Sequence, residues 1–425
     1  MKRALINCNL IDGTEYCEVQ ENITVLLEDG YIVDVGRDLD TNGYEILDLK
    51  NKYVMPGLIN LHVHLPASGK PSKKKSDPNK LVKLVLSNNL TRKIGIKICK
   101  DAAQTALLSG VTTIRTVGGI DDFDTIIKHD IENGKYFGPR IKASNYAIGP
   151  EHGHMVGSVA VAVKDRIEAV KTVDKLAEQG ADWIKLMITG GVLDAKVKGE
   201  PGVLKMQPGL VKACCDEAHH LGFKVCAHVE SPDGVRVALE NGVESIEHGA
   251  TLDAHMIDLF KQRDVYYVCT ISPALPLAKF DPQITGASEM VVYNSDVVMQ
   301  GVINGAKAAL ENGVKVGLGT DTGCPYITHY NLWRELEYFH KYLNVSRNFA
   351  LYTATLRNAE LLGMENEIGS VEKDKRGDLL IANTNPLDGF AALANSYMVI
   401  TDDHVFKEPR IKKYPEVDKL LDQYM

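Results

Sequence analysis

The sequence predicts an α/β chain: a (β/α)8 TIM barrel with a small β-sandwich domain formed from both termini. Three observations predict it. From Pro56 onward, short apolar runs of strand length alternate with helix-length segments. Several helical segments stop one residue before a glycine, at Gly110, Gly180, Gly222, Gly242 and Gly313, where a residue that tolerates positive φ closes a helix. The stretches that flank this alternation hold strands joined by turns too short for crossover helices.

Ala4-Leu5-Ile6-Asn7, Ile23–Leu27, Tyr31–Val35 and Glu45–Leu49 read as strands, punctuated by Asp12-Gly13 and Asp29-Gly30. Pro56-Gly57 then turns the chain into a buried strand, Leu58–Leu65, that carries His62 and His64. Further strands are expected at 111–117, 140–148, 183–189, 224–229, 244–249, 266–272 and 315–320, with helices at 92–109, 164–179, 208–221, 232–241, 253–263 and 294–312. Eight strands each followed by a helix is the arithmetic of the barrel. Segments 66–91, with Lys73-Lys74-Lys75, and 274–293, with Pro276, Pro282 and Gly286, exceed minimal loop lengths. Both follow strands on the face where barrel active sites lie, so they are candidate lids; the lysine run reads equally as a solvated loop. After a helix over 346–362, Leu379–Ala382 and Tyr397–Ile400 return to strand and join the first 55 residues. The expected domains are therefore 1–55 plus 365–425, and a barrel over 56–364. The charged stretch Lys407–Met425 reads as peripheral.

A chain of 425 residues with 44% hydrophobic and 24% charged side chains has the composition of a globular protein with a large core. A net charge of −8 argues against a nucleic-acid partner. No apolar run approaches the roughly 20 residues of a membrane helix, so no membrane partner is expected. Asn7 and Asn9 interrupt the N-terminus too early for a secretory signal. The eight cysteines show no C-x-x-C spacing and several sit in apolar runs, which points to free thiols in a reducing cytoplasm. A homo-oligomer is expected from the size and class.

Residues two apart on a strand share a face, so His62 and His64 present two imidazoles side by side, a ready chelating pair. Other strand ends supply partners: His228 on strand five, His248 on strand six and Asp321 after Gly317-Leu318-Gly319-Thr320 on strand eight. Lys185 interrupts the apolar run Trp183-Ile184-Lys185-Leu186-Met187-Ile188 of strand four. A lysine buried there must neutralise, pair or be chemically changed. A desolvated neutral amine captures carbon dioxide as a carbamate, a two-oxygen anion able to bridge two metal ions; snorkelling to the barrel mouth or pairing with Asp321 is the plain alternative.

Together, Met55-Pro56-Gly57-Leu58-Ile59-Asn60-Leu61-His62-Val63-His64, Lys185, His228, Ser245-Ile246-Glu247-His248-Gly249 and Gly319-Thr320-Asp321 resemble the metal-dependent amidohydrolase superfamily. Ala227-His228 and Ile246-Glu247-His248-Gly249 resemble its imidazolonepropionase-like, prolidase-like (Xaa-Pro or Xaa-Arg dipeptidase-like) branch. Ile184–Gly191 resembles members with an N6-carboxylated lysine and two zinc ions. The resemblance implies His62, His64 and Asp321 on one ion, His228 and His248 on the other, and carboxylated Lys185 between them. It implies a water bridging the two ions, with Asp321 as general base, cleaving a C–N amide bond of a dipeptide or N-acyl amino acid. A single-metal cyclic amide hydrolase or a deaminase is the alternative within the superfamily, and a non-catalytic barrel scaffold the alternative outside it.

On the substrate side, the strand-three end Gly149-Pro150-Glu151-His152-Gly153-His154 matches a motif that contacts the substrate in branch relatives, which nominates His154 or His152. Arg115 in strand two reads either as a carboxylate binder or as a barrel-interior ion-pair member. Glu230 stands where many peptidase-like relatives carry tyrosine, and a carboxylate there favours a cationic group on a small-molecule substrate or caps the next helix. Tyr326, His329 and Cys324 follow Asp321 and are candidate pocket residues.

Overall fold

The computed structural model describes residues 1–71 and 77–425. The lysine run at 73–75 lies outside the described residues. The architecture is TIM barrel-type. One parallel sheet runs in the order Ala160–Val163, Ala147–Pro150, Trp183–Met187, Lys224–Val229, Ser245–His248, Tyr266–Cys269, Val316–Leu318. A second holds Leu58–Val63, Val111–Thr116 and Arg140–Lys142. Backbone hydrogen bonds link the two sheets at two places: Asp321 and His64 amides reach His62 and Thr322 carbonyls at one, and the Trp183 amide reaches Ala143 at the other. Gly319 makes the first link possible, because a Cβ there would stand 2.5 Å from the His62 Cβ. Asn358 staples the same seam, donating to the Ile59 and Leu318 carbonyls at 2.8 Å.

The third strand departs from the continuous run expected over 140–148. It divides into Arg140–Lys142 and Ala147–Pro150. Asn145 lies between them in the left-handed region, at φ 58°, a conformation asparagine tolerates better than most residues. The kink lets one half pair with strand two and the other with strand four. The expected helix over 346–362 likewise breaks, into Arg347–Thr353 and Leu356–Leu362. All five expected glycine caps adopt positive φ.

The flanking strands assemble into one mixed eight-stranded sheet rather than two hydrogen-bonded sheets. Its centre is Tyr53–Pro56, which pairs in parallel with Lys2–Leu10 and antiparallel with Leu379–Ala382. Leu5, Val25, Leu27, Ile32, Leu379, Ile381 and Ile400 share a buried core, so residues from both ends of the chain make one hydrophobic unit. The expectation of a peripheral C-terminus is corrected. Helix Pro415–Leu421 buries Val417 and Leu421 in the barrel's core cluster, and Arg334 pairs with Asp418 and Asp422. The candidate lid at 274–293 holds two short helices, Ala274–Lys279 and Pro282–Thr285, and the start of a long one, Glu289–Glu311. It is anchored: Tyr424 donates to the Lys279 carbonyl at 2.6 Å and Phe280 packs between Tyr326 and Tyr424. Among the described residues no helix is long and apolar enough to cross a membrane.

Candidate metal centre and active site

Parallel pairing sets the strand ends in register. Met187 lies opposite His228, and Val229 opposite His248, so the polar residues expected at separate strand ends meet on one rim. His62 and His228 each place their ring 4.7 Å from that of His248. His62, His248 and Asp321 each offer a ligand atom within 4.8 Å of the others, a group able to hold a metal ion. His64 joins it through Nε2, 3.2 Å from Asp321 Oδ1. Asp321 and His248 both hold positive φ, 57° and 68°, and sparsely populated backbone conformations of this kind concentrate at functional sites.

Lys185 and His228 complete the cluster and supply its chemical test. Lys185 is wholly buried, and neither its Nζ nor the His228 Nε2 has a hydrogen-bond partner among the described residues. Buried polar atoms are seldom left so. Two orphaned nitrogens beside the Asp321 carboxylate and three further imidazoles fit a cation-binding site. Burial lowers the Lys185 amine, with Glu247 pulling it back in part. Burial also lowers His62 to about 4, and His228 and His248 well below the ordinary histidine value. All four groups are thereby drawn toward the neutral form that binds metals or captures carbon dioxide.

Second partners orient the rings. Glu247 accepts from His62 Nδ1 at 2.9 Å, the Gly118 carbonyl accepts from His64 Nδ1 at 2.8 Å, and Thr270 Oγ1 meets His248 Nδ1 at 2.7 Å. Each leaves the other ring nitrogen for the cluster. Arg115 resolves in favour of the barrel interior. It is wholly buried and bonds the Leu61 carbonyl, Ser245 and Glu247, the last at 2.6 Å, so the expected substrate-carboxylate role is corrected. Burial pulls Glu247 up, but Arg115 and His62 outweigh it and hold the carboxyl well below its usual range.

His154 stacks on His228 with centroids 4.3 Å apart, and its Nδ1 lies 2.5 Å from Asp194 Oδ2. His152 is exposed on the preceding turn at φ 61°, so of the two it is His154 that lies against the cluster. Glu230 sits just past strand five with its Oε2 buried and unpartnered; burial, with Asp321 and Asp194 adding, pushes its carboxyl up to about 8. Cys324 Sγ donates to Asp321 Oδ2 at 3.3 Å. Tyr326 instead faces the 274–293 segment, donating to the Ile284 carbonyl, and His329 donates to Ala67. Glu247 and Asp194 were not anticipated. Glu247 carried a usable signal, a carboxylate inside an apolar strand, whereas Asp194 comes from a loop with none.

The amidohydrolase family pattern matches residues 53–403. The chain belongs to the amidohydrolase family. A solved prolidase-like protein from Bifidobacterium longum superposes on this amidohydrolase with a TM-score of 0.87 and 34% identity, covering 99% of this chain and 98% of that one. A solved Xaa-Pro dipeptidase with bound methionine gives 0.82 and 28% identity, covering 96% and 100%. Imidazolonepropionase of Clostridium tetani is 24% identical over 401 residues, covering 85% of this chain and 84% of the relative. The amidohydrolase is an enzyme that hydrolyses carbon–nitrogen bonds, in a family that is generally metal-dependent and acts on small molecules.

Proposed function

We propose that this amidohydrolase is a binuclear-metal hydrolase that cleaves the amide bond of a dipeptide or N-acyl amino acid. Lys185 carries the reading: a wholly buried amine with no partner among the described residues, set amid four histidines and Asp321. Carboxylated at Nζ, Lys185 would join His62, His64, His228, His248 and Asp321 as the residues that would hold two metal ions. The imidazole-rich donor set suits zinc. Bound there, two such cations supply Lewis acidity, acidifying the attacking water and polarising the scissile carbonyl.

The protein's own groups do the rest. Asp321 takes the proton of the attacking water at its carboxylate and returns it to the leaving amine. Cys324 donates to Asp321 Oδ2 and steadies the carboxylate. Asp194 holds the His154 ring in place through Nδ1, and the imidazole steadies the charge that develops on the substrate carbonyl oxygen. Residues 56–364 close as the barrel that carries this site, and residues 1–55 with 365–425 form the smaller β domain. Eight unpaired thiols, seven of them buried, suit a cytoplasmic enzyme.

The test is metal content after reconstitution with zinc and bicarbonate. Lys185→Met is expected to bind half the zinc of the parent chain. An unchanged zinc content in that variant favours the single-metal cyclic-amide or deaminase reading and overturns the binuclear one.

A further inference from the structure

We propose that Glu230 binds a free ammonium group next to the scissile carbonyl, so that the substrate is an unblocked aminoacyl compound such as a dipeptide rather than an N-acylated amino acid. This rests on the amide-hydrolase reading above and narrows it. In a dipeptide the amine lies one carbon beyond the carbonyl under attack. Whatever reads that amine must therefore stand beside the groups that hold the carbonyl. Glu230 follows His228 by two residues, immediately past the end of strand Lys224–Val229. Its neighbouring charges are Asp321, at the centre of the cluster, and Asp194, the partner of His154.

Glu230 also borders open space. Glu230 and Gly249 line a cleft of about 400 Å³ that continues past Thr251 to Tyr293, Asp296 and Asn304. That volume lies in the range of small-molecule sites. Among the described residues no lysine or arginine lines the cleft, and Lys198, beside Tyr293, is engaged with Glu289 at 2.6 Å. Glu230 Oε2 is buried without a hydrogen-bond partner among the described residues. A buried carboxylate oxygen left unpaired is costly, and a substrate ammonium would satisfy it by a charge-assisted hydrogen bond. An acetylated amine offers neither charge nor fit there. The tyrosine that the resembling peptidases carry at this place would not discriminate in the same sense.

The experiment compares paired substrates on the zinc-loaded full-length enzyme: a panel of L-dipeptides and the same dipeptides N-acetylated. The free-amine series is expected to exceed its acetylated partners in kcat/KM by about 100-fold, since a site built to bond a polar group strongly rejects analogues that lack it. In Glu230→Gln that ratio is expected to collapse toward unity, chiefly through a raised KM for the free amines, with zinc content equal to the parent. Glu230→Asp, which keeps the charge, is expected to restore part of the ratio. Parent enzyme that prefers the acetylated series overturns the ammonium site while leaving the amide-hydrolase reading intact. A Glu230→Gln chain that keeps the parent's ratio, or that loses zinc in step with activity, overturns it too. Turnover of neither series removes the amide-hydrolase reading and the inference with it.

Discussion

Replacing Glu247 by glutamine isolates the charge that the barrel interior is built around. The carboxylate is wholly buried and meets three donors: Arg115 Nη2 at 2.6 Å, Ser245 Oγ at 2.7 Å and His62 Nδ1 at 2.9 Å. Glutamine keeps the shape but leaves the wholly buried Arg115 guanidinium without its anion. Breaking a buried pair in this one-sided way costs about 3–5 kcal/mol. With its amide oxygen kept toward Arg115 and Ser245, glutamine turns its NH2 to His62 Nδ1, which thereby loses the acceptor that fixes which ring nitrogen bears the proton, and loss of such a partner typically weakens metal binding about 10- to 100-fold. Two assays read the two effects separately: chemical denaturation of the metal-stripped protein at pH 7.5, and competition for zinc against a chelator of known affinity. A double variant, Glu247→Gln with Arg115→Met, should recover most of the folding loss but none of the metal affinity. Zinc affinity within twofold of the parent, or a folding loss below about 1 kcal/mol, would refute the reasoning that Glu247 serves both the fold and the ligand.

Two further outcomes follow from the geometry. His154→Gln keeps a polar side chain but loses the imidazole that Asp194 holds, so kcat is expected to fall about 10- to 100-fold with zinc content unchanged; steady-state kinetics beside metal analysis check it. His329 lies outside the cluster and is wholly buried, and burial lowers it to about 4. Its folded value lies below the unfolded one, so the unfolded chain takes up a proton first and the folded state loses stability as pH falls from about 6.5 toward 4. The stability gap between the parent and His329→Asn should therefore narrow by about 1.4 kcal/mol per pH unit over that window, measured by urea titrations of metal-stripped protein at pH 7, 6 and 5; a constant gap would count against it.

Much of the site is written locally. His62 and His64 announce themselves by a two-residue spacing on an apolar strand, and Lys185 by a charge where strand periodicity demands an apolar side chain. The same rule, a charge inside an apolar strand, applies to Glu247 and Arg115. Their mutual pairing across 132 positions of sequence becomes visible only when the strands curve round a common interior. Arg115 by itself left two roles open, and its burial decides between them. Asp194 belongs to a short turn of helix after strand four, where no periodicity marks a residue, and its role depends on where the His154 loop comes to rest. The break in the third strand had a local cause, Asn145 at positive φ, but asparagine occurs within strands often enough that its presence alone does not predict a kink.

The central position of Tyr53–Pro56 in the eight-stranded sheet bears on how the molecule is made. This strand leaves the ribosome more than 300 residues before Leu379–Ala382, the neighbour that covers its second edge. During synthesis that edge offers unpaired amides and carbonyls to any extended segment nearby, the condition that invites mispairing between nascent chains. The barrel lies between the two partners in chain order, so its early collapse would hold the waiting strand near the place where its mate finally arrives.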